Sequence, residues 1–286
     1  MSLGAEENNM GYVDNYFDGK VAVVLGCSGE GGIGYVAAET LAKRGAKVVV
    51  AARSFDKVQA LADRIGGHAV ACDAGKEDEV KALAQAALDQ HGRVDFAINS
   101  AGMPIPGMVS DISAESLLRV TEVNYFANVY FIREMAKAIK RDGSIIILSA
   151  LSATDYWEGI FGYACAKAAV DCLVRYAAHE YGKHNIRVNS ILPGAIHSFM
   201  SKPLFDAPGA AETQAKEIPL GRIGKPEEAA ECILWLCRES YVTGLNVPVA
   251  GGQQLTRYPY IHEYPTGKEA FAGAVDAASS ARDGNG

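Results

Sequence analysis

The sequence predicts an α/β protein in which helices cover both faces of a doubly wound, parallel sheet of about seven strands, folded as a single domain. Between about residues 19 and 252, short apolar runs rich in β-branched residues alternate with stretches of helical spacing. The first apolar run leads through a glycine-rich segment into a helical stretch, which is the order found at the start of nucleotide-binding sheets. Together these observations predict a Rossmann-like fold.

Each predicted element has residues typical of its type. The first strand, residues 21–25, is short, apolar and mostly β-branched. The first helix stops at Gly45, and the second strand, 47–52, follows at once. The remaining strands are predicted at residues 69–72, 95–98, 144–149, 186–192 and 246–250. Helices are predicted at residues 33–44, 55–64, 76–91, 113–140, 161–183 and 226–238.

The glycine-rich segment after the first strand predicts a phosphate-binding turn. It runs Gly26-Cys27-Ser28-Gly29-Glu30-Gly31-Gly32-Ile33-Gly34. Glycines let backbone N–H groups approach a pyrophosphate, and the N-terminus of the following helix favours the anion. Such a loop alone is often only a turn, but the flanking strand and helix favour dinucleotide binding.

Three segments fall outside the alternation. Residues 1–18 are expected to form a flexible N-terminal arm. Residues 195–220 mix prolines with apolar side chains after the sixth strand, at the edge of a sheet where ligands bind, and we expect a lid over the substrate. A plain surface excursion is the alternative. Residues 253–286 become polar and small, and we expect this C-terminal extension to be partly disordered.

The composition narrows the class of partner. The 286 residues carry a net charge of −7 without a basic run or stripe, which argues against nucleic acid and acidic membrane surfaces as partners. No stretch is long and apolar enough to span a membrane. The six cysteines show no metal-binding spacing, so we expect no metal and interpret them as buried, reduced thiols. Reduced thiols favour a cytoplasmic location.

Tyr163 and Lys167 are the candidate acid–base pair. Residues at i and i+4 share one face of a helix, so the spacing places an ammonium beside a phenol. A phenol titrates near pH ~10, and a neighbouring cation lowers that pKa. Such a tyrosine can exchange a proton with an alcohol or a carbonyl near neutral pH. Alone, the pair is equally typical of an amphipathic helix surface.

In order and spacing, the motifs of residues 19–252 resemble those of the short-chain dehydrogenases/reductases. The resemblance rests on the glycine-rich loop, the Tyr163–Lys167 helix, Asn99-Ser100-Ala101-Gly102, Val123-Asn124-Tyr125, residues 187–194, Pro219-Leu220-Gly221-Arg222, Tyr241-Val242-Thr243-Gly244 and Val249-Ala250-Gly251-Gly252. It implies a nicotinamide cofactor, hydride transfer at a carbonyl or carbinol of a small molecule, and a homotetramer or homodimer.

The resemblance also implies a role for individual residues. Tyr163 would be the acid/base, Lys167 would lower its pKa and bind the nicotinamide ribose, and Asn124 would hold a water that relays protons. Tyr163 and Lys167 would therefore also contact the cofactor. The other implied cofactor contacts are Gly26, Ser28, Gly32, Ile33 and Gly34 around the pyrophosphate, Asp73 at the adenine, Asn99 and Gly102 at the adenosine ribose, and Ile196 and Ser198 at the carboxamide. Asp73 could instead only cap the end of its strand.

The sequence departs from the family pattern at the catalytic serine. Counting from Gly143 and from Tyr163 gives the same position, which Ala150 occupies. That serine hydrogen-bonds the substrate oxygen, and losing such a donor can cost ~10²–10³ in rate. We predict that Ser152 substitutes, because it faces the same side if the segment stays extended, whereas Ser149 should face the opposite side. If Ser152 instead caps a loop, the site has no such donor.

The end of the second strand favours NADP(H) over NAD(H). Ala52 stands where NAD enzymes typically carry an acidic residue for the ribose 2′-OH, and Arg53 follows. A guanidinium matches the geometry of a 2′-phosphate. Two alternatives remain. Arg53 could be only a solvated side chain, and Glu30 could oppose NADP(H) binding if its carboxylate lies near the 2′-phosphate.

The sequence therefore predicts an NADP(H)-dependent oxidoreductase that interconverts a ketone and a secondary alcohol, with a hydrophobic substrate. The alternative is a catalytically impaired protein of the same fold that binds NADP(H) as a sensor or scaffold. Ala150 favours the alternative, and Tyr163, Lys167 and Asn124 oppose it. An enoyl reductase is disfavoured, because such family members place six residues between tyrosine and lysine, and Ile160 stands where that tyrosine would be.

Overall fold

A computed structural model describes residues 15–265 of the chain as one parallel sheet of seven strands with the order β3-β2-β1-β4-β5-β6-β7. The strands are β1 (Val21–Leu25), β2 (Lys47–Ala52), β3 (His68–Ala71), β4 (Phe96–Asn99), β5 (Gly143–Leu148), β6 (Ile186–Pro193) and β7 (Asn246–Val249). The helices are α1 (Ile33–Lys43), α2 (Phe55–Ile65), α3 (Glu77–His91), α4 (Ala114–Thr121), α5 (Ala127–Ile139), α6 (Phe161–Gly182), α7 (Lys202–Phe205), α8 (Ala210–Ala215) and α9 (Pro226–Arg238). The predicted fold class is confirmed.

Two hydrophobic layers sandwich the sheet, because successive strand residues point to opposite faces. On one face, Val24 and Val50 pack with side chains of α1, α2 and α9. On the other face, Val23 and Ile147 pack with side chains of α3, α5 and α6. Burial on both faces explains why the strands read as continuous apolar runs. Among the described residues, no helix combines the length and the apolar character that crossing a membrane requires.

The predicted helix 113–140 is divided by a π-helical turn, Glu122–Phe126, between α4 and α5. Ser113 starts α4 by accepting a hydrogen bond at Oγ from the N–H of Ser116, at 3.0 Å. The π turn contains Asn124, which is fully buried. Such turns occur mainly as single insertions inside helices, often at functional sites, and one extra residue does not disturb the apolar periodicity enough to be seen in the sequence.

The strand register aligns the carboxyl ends of the central strands. Leu25 of β1 pairs with Asn99 of β4, and Leu148 of β5 pairs with Ile191 of β6. The glycine-rich loop and the loops after β4, β5 and β6 therefore leave the sheet at one edge. The order of the strands changes direction between β1 and β4, which is where open α/β sheets bind their ligands.

Both ends of the described chain pack onto the domain. Phe17 is fully buried, with its ring 5.6 Å from that of Phe96. Residues 15–18 thus differ from the flexible arm that the sequence suggested, because an aromatic ring fills a gap at the edge of the core; the rest of that arm lies outside the described residues. Residues 253–265 fold back over the α7–α8 region, with Tyr258 and Tyr264 buried. The remainder of the predicted C-terminal extension also lies outside the described residues.

Candidate active site

A cavity of about 250 Å³ opens at the carboxyl edge of the sheet. Its wall is formed by the glycine-rich loop, the ends of β5 and β6, the start of α6 and the segment that contains α7 and α8. Nine of the predicted site residues lie on this wall: Gly26, Ser28, Gly32, Ile33, Gly34, Gly102, Ile196, Ser198 and Ser152. Tyr163 and Lys167 lie on it as well. The fold therefore brings the loop and the tyrosine–lysine pair to one site, although more than 120 residues separate them in sequence.

The glycine-rich loop fits an anionic group. Gly26 has φ +89°, and a Cβ placed there would lie 2.3 Å from the backbone nitrogen of Ala101, so only glycine is accommodated. Gly32 precedes α1, and none of the described side chains caps this helix. The first backbone N–H groups of α1, at Ile33 and Gly34 on the cavity wall, are thus left for a ligand. These residues fit the pyrophosphate of a dinucleotide.

Tyr163 and Lys167 lie one turn apart on α6. The Nζ atom of Lys167 is 5.5 Å from the centre of the Tyr163 ring and donates a hydrogen bond of 2.7 Å to the carbonyl oxygen of Leu148. Lys167 is only 2% exposed. A Cβ on Gly102 would lie 3.3 Å from that Nζ and 3.1 Å from Oδ1 of Asn124, so the lysine and the asparagine face the same small space. A buried ammonium next to a phenol stabilises the phenolate form.

Three buried asparagines connect this space to the sheet. Asn124 accepts a hydrogen bond at Oδ1 from the N–H of Met103, at 2.9 Å, and donates from Nδ2 to the carbonyl oxygen of Met103, at 2.8 Å. Asn128 donates to the carbonyl oxygen of Asn124 and accepts from the side chain of Asn99, both at 2.8 Å. Asn128 was not predicted as a site residue, although its position four residues after Asn124 was a usable signal.

Asn99, Asp73 and Arg53 are predicted cofactor contacts that do not line the cavity. Asn99 is fully buried, and its side chain is engaged by Asn128. Asp73 accepts a hydrogen bond from the N–H of Gly75 at 3.0 Å, as expected for a turn that closes a strand. Arg53 is exposed at the end of β2 and forms no ion pair within residues 15–265.

Lys57, on the first turn of α2, lines the cavity instead, and the sequence analysis did not identify it. It lies four residues after Arg53, so two cations stand near the end of β2. Glu30, which could have opposed a phosphate there, lies 3.5 Å from Arg64. The Glu30 carboxylate is therefore paired with Arg64 and not with Arg53 or Lys57.

Ala150, which counting assigned to the position of the catalytic serine, follows the end of β5. Ala150 is extended, at φ −157° and ψ 149°, and lines the cavity. Ser149, predicted to face the opposite side, also lines the cavity, but its hydroxyl donates to the carbonyl oxygen of Lys167, at 3.3 Å. Ser152 does not follow on an extended segment, because residues 151–153 form a 3-10 turn, yet it still lies on the cavity wall. Its hydroxyl is shielded from solvent and has no hydrogen-bond partner among the described residues.

The wall of the cavity away from the glycine-rich loop is mainly apolar. Phe199, Leu204 and Phe205 contribute from the segment 195–220. Trp157 and Tyr258 also contribute, and their rings stack 4.7 Å apart with planes 1° from parallel. Burial raises the pKa of the Tyr258 phenol, which therefore stays neutral. Neither aromatic residue belongs to a recognisable motif; for Tyr258, the only sequence signal was a group of three tyrosines, at positions 258, 260 and 264, in an otherwise polar C-terminal extension.

Comparison with known proteins identifies the family. Residues 26–254 match the family model described as Enoyl-(Acyl carrier protein) reductase. Dehydrogenase/reductase SDR family member 4 of Bos taurus is 34% identical over 250 residues, which cover 83% of this chain and 88% of that protein. The chain belongs to the short-chain dehydrogenase/reductase family.

Two further members of the family extend this result. The 7alpha-hydroxysteroid dehydrogenase of Escherichia coli (strain K12) is 34% identical over 244 residues, covering 82% of this chain and 94% of that protein. The solved structure of a short-chain type dehydrogenase/reductase from Mycobacterium ulcerans superposes with a TM-score of 0.83 and 28% identity, over 90% of this chain and 98% of that one. This short-chain dehydrogenase/reductase is thus an oxidoreductase of a family that transfers hydride with nicotinamide cofactors.

Proposed function

We propose that this short-chain dehydrogenase/reductase uses NADP(H) to interconvert a ketone and a secondary alcohol on a neutral, hydrophobic substrate. The observation that carries the proposal is the buried Lys167 beside Tyr163 on the wall of a cavity that also contains the glycine-rich loop. When bound there, the nicotinamide would supply or accept the hydride. The protein's own groups must then supply or remove one proton at the substrate oxygen.

Tyr163 is the proposed acid/base. In reduction its hydroxyl donates a proton to the oxygen of the ketone, and in oxidation its phenolate takes the proton of the alcohol. Lys167 stabilises the phenolate, and Asn124 lies next to the space between Lys167 and Gly102. Oδ1 of Asn124 accepts from Met103 and has a second lone pair, which can hold the water that returns protons from solvent.

The proposed preference for NADP(H) rests on Arg53 and Lys57. Both cations are exposed near the end of β2, where the 2′ position of the adenosine ribose binds in this fold, and no acidic residue stands at position 52. Titration of NADPH and NADH into the wild type and into Arg53→Ala tests this. Losing one charge-assisted contact should weaken NADPH binding by about 1.5–3 kcal/mol and leave NADH binding unchanged. Equal affinities of the two proteins for NADPH would show that Arg53 does not hold the phosphate.

The apolar wall supports the proposed class of substrate. We propose that residues 195–220 form a lid, and Phe199, Leu204 and Phe205 present apolar side chains to the cavity. The only charged residues on the described wall are Lys57 and Lys167. Lys57 lies where the 2′-phosphate of the cofactor is proposed to bind, and Lys167 belongs to the acid–base pair. A charged substrate would therefore find no residue of opposite charge on the apolar part of the wall.

A second candidate function is the binding of NADP(H) without turnover, as a sensor or scaffold. Ala150 favours it, because a methyl group stands where the family places a hydrogen-bond donor. The two functions are separated by following NADPH absorbance with a panel of apolar ketones. Turnover of any ketone supports the oxidoreductase, and tight NADPH binding without turnover supports the sensor.

We also propose a cytoplasmic location. All six cysteines are free thiols, but only Cys27, Cys72 and Cys237 are buried; Cys172 and Cys232 are partly exposed, and Cys165 is exposed. Burial raises the pKa of Cys27 and Cys237 to about 12. Unpaired thiols fit a reducing compartment. Fractionation of cells that express the tagged protein checks this, and recovery in an oxidising compartment would contradict it.

A further inference from the structure

Gln214, on α8, is a buried amide that faces the cavity. Its residue is 1% exposed, and it lines the cavity beside Leu204 and Phe205. Its Oε1 accepts a hydrogen bond of 2.6 Å from the hydroxyl of Tyr264. Its Nε2 has no hydrogen-bond partner among the described residues. The amide oxygen of Gln214 is thus hydrogen-bonded and its amide nitrogen is not. No sequence motif identified this residue.

Tyr264 fixes the orientation of this amide. Burial raises the pKa of the Tyr264 phenol, so the hydroxyl keeps its proton and acts as the donor. The structure places the amide oxygen against this hydroxyl, so the amide nitrogen lies on the side away from Tyr264. Tyr264 belongs to the segment 253–265, which means that the C-terminal part of the chain sets the polarity of the lid's inner surface.

A buried N–H group without a partner costs free energy, and most such groups in native proteins are paired. The surroundings of Gln214 offer little compensation, because Leu204, Phe205, Ala210 and Ile218 form an apolar cluster with Tyr264. A ligand oxygen in the cavity would satisfy Nε2. No charged residue lies on this part of the wall, so the matching acceptor is a neutral oxygen rather than a carboxylate.

We propose that Gln214 is a specificity-determining residue whose amide N–H binds a second oxygen of the substrate, distant from the oxygen that reacts. This inference rests on the proposed function and narrows the substrate to neutral, largely apolar ketones or alcohols that carry a further hydroxyl or carbonyl group. Tyr264 is a positioning residue that acts through Gln214.

Binding measurements test the proposal without requiring turnover. The full chain, in the presence of NADP⁺, is titrated with 2-decalone and separately with each positional isomer of hydroxy-2-decalone. Calorimetry gives the Kd of each ketone. The preference ratio is the Kd of 2-decalone divided by the Kd of the tightest hydroxy-2-decalone. In Gln214→Met, which is close in shape but has no N–H, this ratio should fall by about 10–100-fold relative to the wild type, because a polar site loses its discrimination with its donor.

Three variants make the result specific. Gln214→Met combined with Tyr264→Phe removes both hydrogen-bonding groups, so no buried hydroxyl is left without a partner; this double variant should fold even where the single variant does not, and it should show the same reduced ratio. Tyr264→Phe keeps the donor but frees its orientation, and the ratio should fall by about 3-fold. Glu212→Gln changes an exposed residue on the same helix and should keep the wild-type ratio.

The outcomes separate this inference from the proposed function. A ratio that is unchanged in folded Gln214→Met, or a wild type that binds no decalone or shows no preference, overturns the role of Gln214. NADPH oxidation with 2-decalone is measured in parallel. Turnover without any preference overturns only the present inference, whereas a Gln214-dependent preference without turnover overturns only the proposed reaction. If the protein turns over these ketones, the weaker binding in Gln214→Met should raise KM and leave kcat unchanged. The reason is that the contact is equally strong in the ground state and in the transition state.

Discussion

Lys167 is a charged side chain that the fold retains at 2% exposure. Burying an ammonium is unfavourable unless hydrogen bonds and opposite charge compensate for lost hydration. Here the carbonyl oxygen of Leu148 accepts one bond at 2.7 Å, and the Tyr163 ring lies 5.5 Å away. An apolar residue would serve stability better at this position, so we attribute the lysine to the chemistry of the neighbouring phenol.

Tyr163→Phe should abolish turnover and leave NADPH binding nearly unchanged. The ring still packs beside Ile160, but the oxygen that carries the proton is gone. NADPH affinity by fluorescence titration and turnover by NADPH absorbance measure the two effects. The matched control is Tyr176→Phe, since Tyr176 lies on the same helix at 66% exposure and should change neither quantity. Retained turnover in Tyr163→Phe would mean that another group carries the proton.

Ser152→Ala should lower kcat by ~10²-fold, if the Ser152 hydroxyl takes the place of the missing donor at Ala150. That hydroxyl lies on the cavity wall without a partner, and it is shielded from solvent, so it must rotate to meet a substrate oxygen. Ala150→Ser should restore activity to Ser152→Ala. The readout is kcat from NADPH absorbance.

Ser149→Ala is the control for this series, because the Ser149 hydroxyl already donates to the carbonyl oxygen of Lys167. It should change kcat much less than Ser152→Ala. A silent Ser152→Ala, together with an Ala150→Ser variant that gains activity, would show that the site works without the Ser152 hydroxyl.

At the scale of elements, the beginning of the described chain acts as part of the core. Phe17 is fully buried, and its ring lies 5.2 Å from that of Tyr16 and 5.6 Å from that of Phe96. Phe17→Ala should therefore lower the free energy of unfolding by about 3–5 kcal/mol, from lost burial and the cavity left behind. Urea denaturation measures this. Phe55→Ala, at a ring that is 45% exposed, should cost much less, and equal losses in the two variants would contradict the role of Phe17.

The strands and long helices could be predicted from the sequence because their signals are local. Val21–Leu25 and Gly143–Leu148 are buried on both faces of the sheet, so their residues are apolar or small. The π turn Glu122–Phe126 could not be predicted, because it adds one residue without breaking the apolar pattern. Residues 253–265 could not be predicted either, because their burial depends on long-range contacts, such as that of Trp157 with Tyr258.

In the candidate site, too, residues could be predicted where their sequence signals are local. Tyr163, Lys167 and the glycine-rich loop follow from spacing, since a helix turn and a strand–turn–helix unit fix their local geometry. Gln214 did not follow, because a single amide in a helix looks like any surface residue until its partners are known, and for Asn128 the only signal was its spacing from Asn124. Their significance comes from the hydroxyl of Tyr264 and from the side chain of Asn99, which are distant in sequence.

At the scale of the whole molecule, the site has two parts, which are supplied by loops from different strands of the sheet. The loop after β1 supplies the glycines and lies beside α2 with Lys57, while the loops after β5 and β6 and the chain's C-terminal segment supply Ser152, Phe199 and Tyr258. Tyr163 and Lys167 lie on the cavity wall that both parts share. In the proposed function, the first part would hold the dinucleotide and the second part the substrate.

The outer surface of α4, the π turn and α6 supports the prediction of a homodimer or homotetramer. On α6, Val170, Val174, Ala177 and Ala178 are buried within the chain, so they do not belong to this outer surface. Large apolar side chains nevertheless remain exposed on these neighbouring elements: Leu118 at 56%, Phe126 at 38% and Tyr176 at 66%. A closed, symmetric assembly would cover the same patch on two copies at once.

Light scattering at micromolar concentration should therefore give the mass of two or four chains for the wild type. Leu118→Glu combined with Tyr176→Glu should reduce that mass, because each substitution places a carboxylate on an apolar patch that faces its own copy across a two-fold axis. Phe55→Glu adds one equivalent charge on α2, away from this patch, and should keep the wild-type mass. A wild-type monomer would remove the assembly from the proposal, whereas a wild-type oligomer that persists in the double variant would place the interface on another face of the molecule.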